Sequence, residues 1–210
     1  MADSAQQALS ILRDAGQLQW YVIPLMALVS YVYATEFQNK NWNVLFAGLT
    51  YFGLDIFIEI VNSLIFHFTQ FAPAWGTPGK TAYLMLIGMN VEICFMFAIV
   101  GIVMSKFLPA DKKAKILGIP GRLAVGAGAA AFCALVEVML NLAGILTWEY
   151  PWWNTGPASL IIFSGYFMFF MISFRVHDME TLKQKFITVG SLLGLDVICL
   201  LVFCLALKWI

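Results

Sequence analysis

Asp55, Glu59 and Asn62 recur at i, i+4 and i+7 in the apolar run DIFIEIVN. On a helix that spacing places two carboxyl groups and an amide on one stripe. Three further acids, Glu92, Glu137 and Asp196, each stand in a separate apolar segment. A charged side chain at mid-bilayer costs about 2.5–3.5 kcal/mol on insertion scales. Five acids in such segments therefore mark a site, with Asp55, Glu59, Glu92, Glu137 and Asp196 as candidate catalytic residues. Lys and Arg are confined to the segment ends and loops, so the acids lack a buried countercharge. Carboxylic acids held neutral in an apolar pocket donate protons or hydrogen bonds, and a subset could instead sit ionised beside a bound cation. The competing structural reading satisfies them with Asn62, Asn90 and Asn141 through interhelical hydrogen bonds.

Other residues fall in register with these acids. Gly126, Ala130, Cys133, Glu137, Asn141, Gly144 and Trp148 form one helical stripe, and its small residues suit close helix approach. Met85, Gly88, Met89, Glu92 and Met96 share a face on the preceding segment, as do Tyr166, Phe170 and Ser173 on the following one. Methionines are usually core residues, yet they also make adaptable walls for bulky apolar ligands. The candidate ligand-binding set is Asn62, Asn141, Trp148, Trp152, Tyr166, Met89 and Met96. Asn90 points away from Glu92 on such a helix, which predicts an interhelical hydrogen bond.

Several chemistries are disfavoured. The chain has no DDxxD to hold magnesium and a diphosphate, and its only histidines are His67 and His177. Phosphate-binding glycine loops and nucleophile elbows are missing too. The expectation is a site without metal or cofactor.

The elements that must carry these residues are membrane helices. Of 210 residues 61% are hydrophobic and 11% charged, against roughly 25% charged in soluble domains. Net charge is zero and there is no basic patch, so nucleic acid is not an expected partner; membrane lipids are. Cys94, Cys133, Cys199 and Cys204 lie in apolar segments without CxxC spacing and read as small core residues. The N-terminus shows no basic region followed by an apolar one, so no cleaved signal peptide is expected.

The fold class expected is all-α: a single bundle over 1–210 with six membrane spans. A short amphipathic helix over residues 4–15, ended by Gly16, should rest Ala8, Ile11 and Leu12 on the membrane surface. Spans are expected near 19–35, 41–68, 81–105, 123–148, 158–174 and 186–207. Pro- and Gly-rich 71–80, polar 106–122, the short 149–157 and polar 175–185 connect them. Lys40, Lys106, Lys112, Lys113, Lys115, Arg122, Arg175, Lys183 and Lys185 fall on one side, against Arg13, Lys80 and Lys208 on the other. That asymmetry predicts cytoplasmic odd-numbered loops and both termini outside or lumenal. All the tryptophans but Trp42 then gather at the outer interface, most densely over 148–153.

In this pattern the chain resembles the small integral-membrane terpene cyclases that make meroterpenoids, which carry a glutamate in the second span and an aspartate in the last. Glu59 and Asp196 occupy comparable places. IEIVN and MNVEICF are also similar to the acidic helices of the emopamil-binding, sterol isomerase type, whose intramembrane histidine Asp55 would replace. The cyclases have seven spans and the isomerase type five. The resemblance implies a metal-independent cyclase or isomerase in which Glu59 or Asp196 protonates an isoprenoid or sterol-like lipid. The other acids and aromatic faces would stabilise the cation, at about 0.5–2 kcal/mol per cation–π contact. Two rivals stand beside it: a proton- or cation-coupled transporter, and a non-catalytic lipid-binding subunit.

Overall fold

A computed structural model describes residues 1–153 and 158–210. Its helices are α1 (Asp3–Ile11), α2 (Val22–Gln38), α3 (Trp42–Thr69), α4 (Val91–Ser105), α5 (Gly121–Leu142), α6 (Ala158–His177) and α7 (Leu182–Leu200). Two short antiparallel hairpins join them, β1 (Leu84–Leu86) with β2 (Met89–Asn90) and β3 (Lys115–Ile116) with β4 (Ile119–Pro120). The described residues are mostly helical, and α3, α5, α6 and the run Leu182–Ala206 are long and apolar enough to cross a membrane. At about 1.5 Å per residue α4 reaches only about 22 Å, short of a hydrocarbon core of about 30 Å. α2 has 17 residues. Among the described residues, four helices of spanning length thus stand where six spans are expected.

α3 is the axis of the bundle and packs against α2, α4, α6 and α7. It meets α4 backbone to backbone: a Cβ added at Gly101 would lie 3.1 Å from the Gly48 Cα, and one at Gly48 would lie 2.3 Å from Ile102 Cγ1. Such contacts between small residues are how helices associate where no water drives them together. Beside this seam lies an aromatic core of Tyr51, Phe97, Phe170 and Phe174, closed by Ala129 and Ala130 of α5. The Tyr51 and Phe170 rings are 4.6 Å apart.

The largest departure from expectation is at 81–105, where one span divides into a hairpin and a short helix. Leu84, Leu86, Ile87 and Met89 are all buried, pressed against the C-terminal half of α3, where Leu86 and Met89 pack on Ile60. Non-helical backbone is tolerated at membrane depth when it is buried in protein, so hairpin and helix together take the place of one longer helix. Asn90 makes no interhelical bond among the described residues. Its side chain accepts from the Ile93 N–H and caps α4, the usual role of Asn at an extended residue before a helix.

Other boundaries move for local reasons. α1 buries Ala8 against Leu84 and Ile87, with Ile11, Leu12 and Phe66 alongside, so it lies on protein where a membrane surface is expected. The helix at the first expected span starts one turn later, at Val22–Gln38, and its 17 residues leave it outside the four of spanning length. α5 stops at Leu142, where Ala143 caps it and Gly144 turns left-handed at φ 70°, a common helix ending. Trp148 is therefore off the helix. Residues 154–157 of the expected 149–157 loop lie outside the described residues. α7 starts earlier than expected, at a Thr181–Gln184 capping box, and ends in a π turn, Leu201–Ala206. The buried Lys185 donates to the Val176 and His177 carbonyls at 2.7 and 2.5 Å, closing the C-terminus of α6 with a cation where its dipole is negative.

Candidate functional site

Asp55, Glu59 and Asn62 share one face of α3, as their spacing requires, and all three are buried. They form one wall of a cavity of about 370 Å³ set between α3, α4, α5 and α6. Glu137 of α5 lines it from another side, so three of the five candidate acids converge on one space. Its remaining walls are apolar, with aromatic rings from Trp75, Phe97, Trp152, Trp153, Tyr166 and Phe169. Met96, Phe132, Trp152, Ile161 and Met168 line it while keeping much of their own surface exposed, so the cavity opens on an apolar flank.

The acids differ in how they are held. The Trp75 indole N–H donates to Glu59 Oε1 at 2.7 Å, and the Asn62 amide approaches Oε2 at 3.5 Å. Asp55 Oδ2 is buried without a hydrogen-bond partner among the described residues. Glu137 faces the Tyr166 hydroxyl and the Trp148 indole, and the Trp148 N–H has no hydrogen-bond partner among the described residues. Asn62 spends its hydrogen bonds on positioning: Nδ2 donates to the Trp75 carbonyl at 2.8 Å, and Oδ1 accepts from the Ala74 N–H at 2.8 Å. That clamp holds Ala74 and Trp75, and with them the indole, over Glu59. Gly88 at the hairpin turn completes the wall. A Cβ there would meet Asn62 Nδ2 at 2.4 Å and Glu59 Oε2 at 2.6 Å, so only glycine lets the hairpin approach the carboxyl.

Glu92 lies elsewhere. In the first turn of α4 it accepts from Thr81 Oγ1 at 2.5 Å, the Tyr21 hydroxyl at 2.6 Å and the Ala82 N–H at 2.8 Å. A carboxylate so placed satisfies donors near a helix N-terminus and ties the segment before α2 to the hairpin. Asp196 is buried on α7 with neither oxygen bonded, and it does not line the cavity. Of the expected ligand-binding residues, Asn62, Trp152, Tyr166 and Met96 line the cavity. Met89 packs into the hairpin core. Asn141 donates to the Leu146 carbonyl at 3.0 Å, which secures the turn after α5.

Two contributors escape a reading of the acids alone, while Tyr51, one turn before Asp55, belongs to the aromatic core and does not line the cavity. Cys133 sits one turn before Glu137 and lines the cavity. Trp75 belongs to a Pro- and Gly-rich loop, and only the tertiary return of that loop brings it to Glu59.

Residues 2–205 match an uncharacterized membrane protein family. The chain belongs to that family. An uncharacterized protein of Archaeoglobus fulgidus is 47% identical over 207 residues, covering 99% of this chain and 98% of its own length. A second uncharacterized protein of the same organism is 37% identical over 51 residues, 24% of this chain and 91% of its own. No solved structure matches. The family match carries integral-membrane character, and the resemblance to terpene cyclases and sterol isomerases gains nothing from it.

Proposed function

We propose that the chain is a membrane-embedded, metal-independent acid catalyst that cyclises or isomerises an isoprenoid or sterol-like lipid through a carbocation. The observation that carries this reading is the convergence of Asp55, Glu59 and Glu137 on one apolar, ring-lined cavity. Charge in such an apolar space interacts more strongly than it does in water.

The geometry divides the roles. Asp55 has an oxygen that no donor addresses, and it is the proton donor in place of Glu59 or Asp196. Glu59, addressed by the Trp75 and Asn62 donors, is the acceptor. The Asp55 O–H bond breaks as a C–H bond forms on an alkene, or as an O–H bond forms on an epoxide, and the substrate becomes a cation. Tyr166 and Trp152 offer ring faces to that cation. Loss of a proton from a neighbouring carbon to Glu59 or Glu137 then forms a new alkene. The proton returns to Asp55, one helical turn from Glu59, so an isomerisation closes with no net consumption of protons. An apolar flank suits a substrate arriving laterally from lipid, and the Lys/Arg asymmetry supports a cytoplasmic side for the odd-numbered loops.

The test is turnover of epoxidised and plain prenylated lipids by purified protein in deuterated water. Product carrying deuterium from solvent, lost in both Asp55→Asn and Glu59→Gln, is expected. Undiminished turnover in both variants overturns the assignment. The half-exposed apolar rim favours a second reading, a non-catalytic lipid-binding subunit, which predicts equal lipid retention in both variants and no product. Carboxylate-dependent ion flux in proteoliposomes would mark a transporter instead.

A further inference from the structure

A second cleft, of about 410 Å³, lies at the end of the bundle where both termini meet α3. There the Ala2 N–H donates to the Phe71 carbonyl, and the Trp209 and His67 rings stack at 4.8 Å. The cleft is separate from the acid-lined cavity. Asn62 and Gly88 face the first space, while their chain neighbours Ser63 and Ile87 face the second. Its walls are largely apolar, with Leu12, Phe66, Leu205 and Trp209 among them. Its charged side chains are two cations, Arg13 and Lys208, and no Asp or Glu side chain lines it.

Arg13 is only partly used by the fold. Its Nε donates to the Met85 carbonyl at 3.0 Å. Its Nη1 points to Cys204 Sγ at 2.8 Å, a weak acceptor. Its Nη2 is buried with no partner, and Arg13 forms no ion pair among the described residues. Lys208 has no hydrogen bond or ion pair among them either, and like Arg13 it has a left-handed backbone just after a helix, with φ 54° and 55°. Glycine takes that conformation most easily, yet here it carries the two cations. A guanidinium with an open donor is built to receive an oxyanion, and the apolar walls around it receive a chain.

We propose that this cleft binds an anionic amphiphile, with its phosphate or carboxylate oxygens on Arg13 and Lys208 and its hydrocarbon chain along Phe66, Leu205 and Trp209. The site stands independently of any chemistry in the first cavity. It is separated from bulk phosphate by requiring both head and tail.

The experiment is native mass spectrometry of the full chain released from a neutral detergent, with dioctanoyl phosphatidic acid, dioctanoylglycerol and inorganic phosphate as probes. Phosphatidic acid should be retained at least about tenfold more than the uncharged diacylglycerol, the discrimination a charge-assisted hydrogen bond gives. Lys208→Gln, which breaks no bond within the protein, should lose most of that preference without a change in melting temperature. Arg13→Gln should lose it too. Equal retention of phosphatidic acid and diacylglycerol overturns the proposal, as does an unchanged preference in Lys208→Gln. Inorganic phosphate binding with the same dependence on Arg13 and Lys208 shows a plain anion site and also overturns it.

Discussion

At the start of α4, Glu92 accepts from Thr81, Tyr21 and Ala82, while on α3 Asp55 keeps an oxygen with no partner and faces a cavity. Both are acids in apolar sequence, and both look equally anomalous when only hydropathy is read. The difference lies in what surrounds the spare valence. Glu92 has spent its oxygens on local donors and holds the hairpin to the segment before α2. Asp55, with Glu59 and Glu137, has room beside it for another molecule. An intramembrane acid thus argues for a ligand only when an open oxygen and an open space coincide.

Replacing the two kinds of acid sharpens that contrast most. Asp55→Asn and Glu59→Gln should each lower turnover on a prenylated lipid by about 10² or more, the range for removing a general acid or base, with a melting temperature close to wild type. Glu92→Ala should do the reverse. It leaves the Thr81, Tyr21 and Ala82 donors without their acceptor, costing about 2 kcal/mol, and the protein that remains folded should turn over normally. Paired activity and thermal-melt measurements decide it. A Glu92→Ala protein that is stable but inactive would erase the distinction.

Gly88→Ala attacks the wall of the cavity itself. The new methyl would fall within 2.6 Å of Glu59 Oε2 and 2.8 Å of Trp75 Cδ1, so the hairpin must retreat and the Trp75–Glu59 bond must lengthen. The expected cost is about 1–3 kcal/mol of overpacking strain, together with reduced turnover. Unchanged Trp75 fluorescence and activity would show that the hairpin does not set the position of Glu59.

Asp196 marks the limit of the family resemblance, which implies a working aspartate in the last span. Its carboxyl is buried with both oxygens unbonded among the described residues, and it lines neither the acid-lined cavity nor the cleft at the termini. Asp196→Leu should then stabilise the protein by about 1 kcal/mol by removing a buried unsatisfied group, and turnover should persist. Loss of activity at unchanged stability would return Asp196 to the site.

How far these distinctions could be read in the sequence depends on the range of the interaction. The Asp55–Asn62 stripe, the bounds of α3 and the small-residue stripe of α5 follow from helical period and hydropathy, which are local. The β1–β2 hairpin was hidden because LMLIGMN is as apolar as a span, though Asn90 followed by Glu92 carried a helix-start pattern. Gly144 likewise announced the end of α5. The Trp75–Glu59 bond and the clamp by Asn62 arise from a loop folding back onto α3, and no local pattern encodes them. Hydropathy also weighs Glu92 and Glu137 alike, because it does not register which acid has donors within reach.

The far end of the bundle offers the smallest test, at a carboxylate that has nothing to do with the cavity. Arg122 grips Asp178 through Nε and Nη2 at 3.0 and 3.1 Å, and His177 Nδ1 lies 2.9 Å from the same carboxylate. Partial burial disfavours the charged carboxylate, but these partners outweigh it and hold the Asp178 pKa below its ordinary value. A carboxylate with a lowered folded pKa binds protons less readily folded than unfolded, so its contribution is fully present above the unfolded value of about 3.9. That contribution is lost as pH falls through the lower folded value. Asp178 is partly exposed, with side-chain exposure of 23%, so solvent screening limits the effect to about 1 kcal/mol or less. Thermal melts of wild type and Asp178→Asn should differ by that small margin at pH 6 and converge in strong acid. A difference that persists below the folded pKa would assign the stabilisation to packing around Arg122 rather than to the charge.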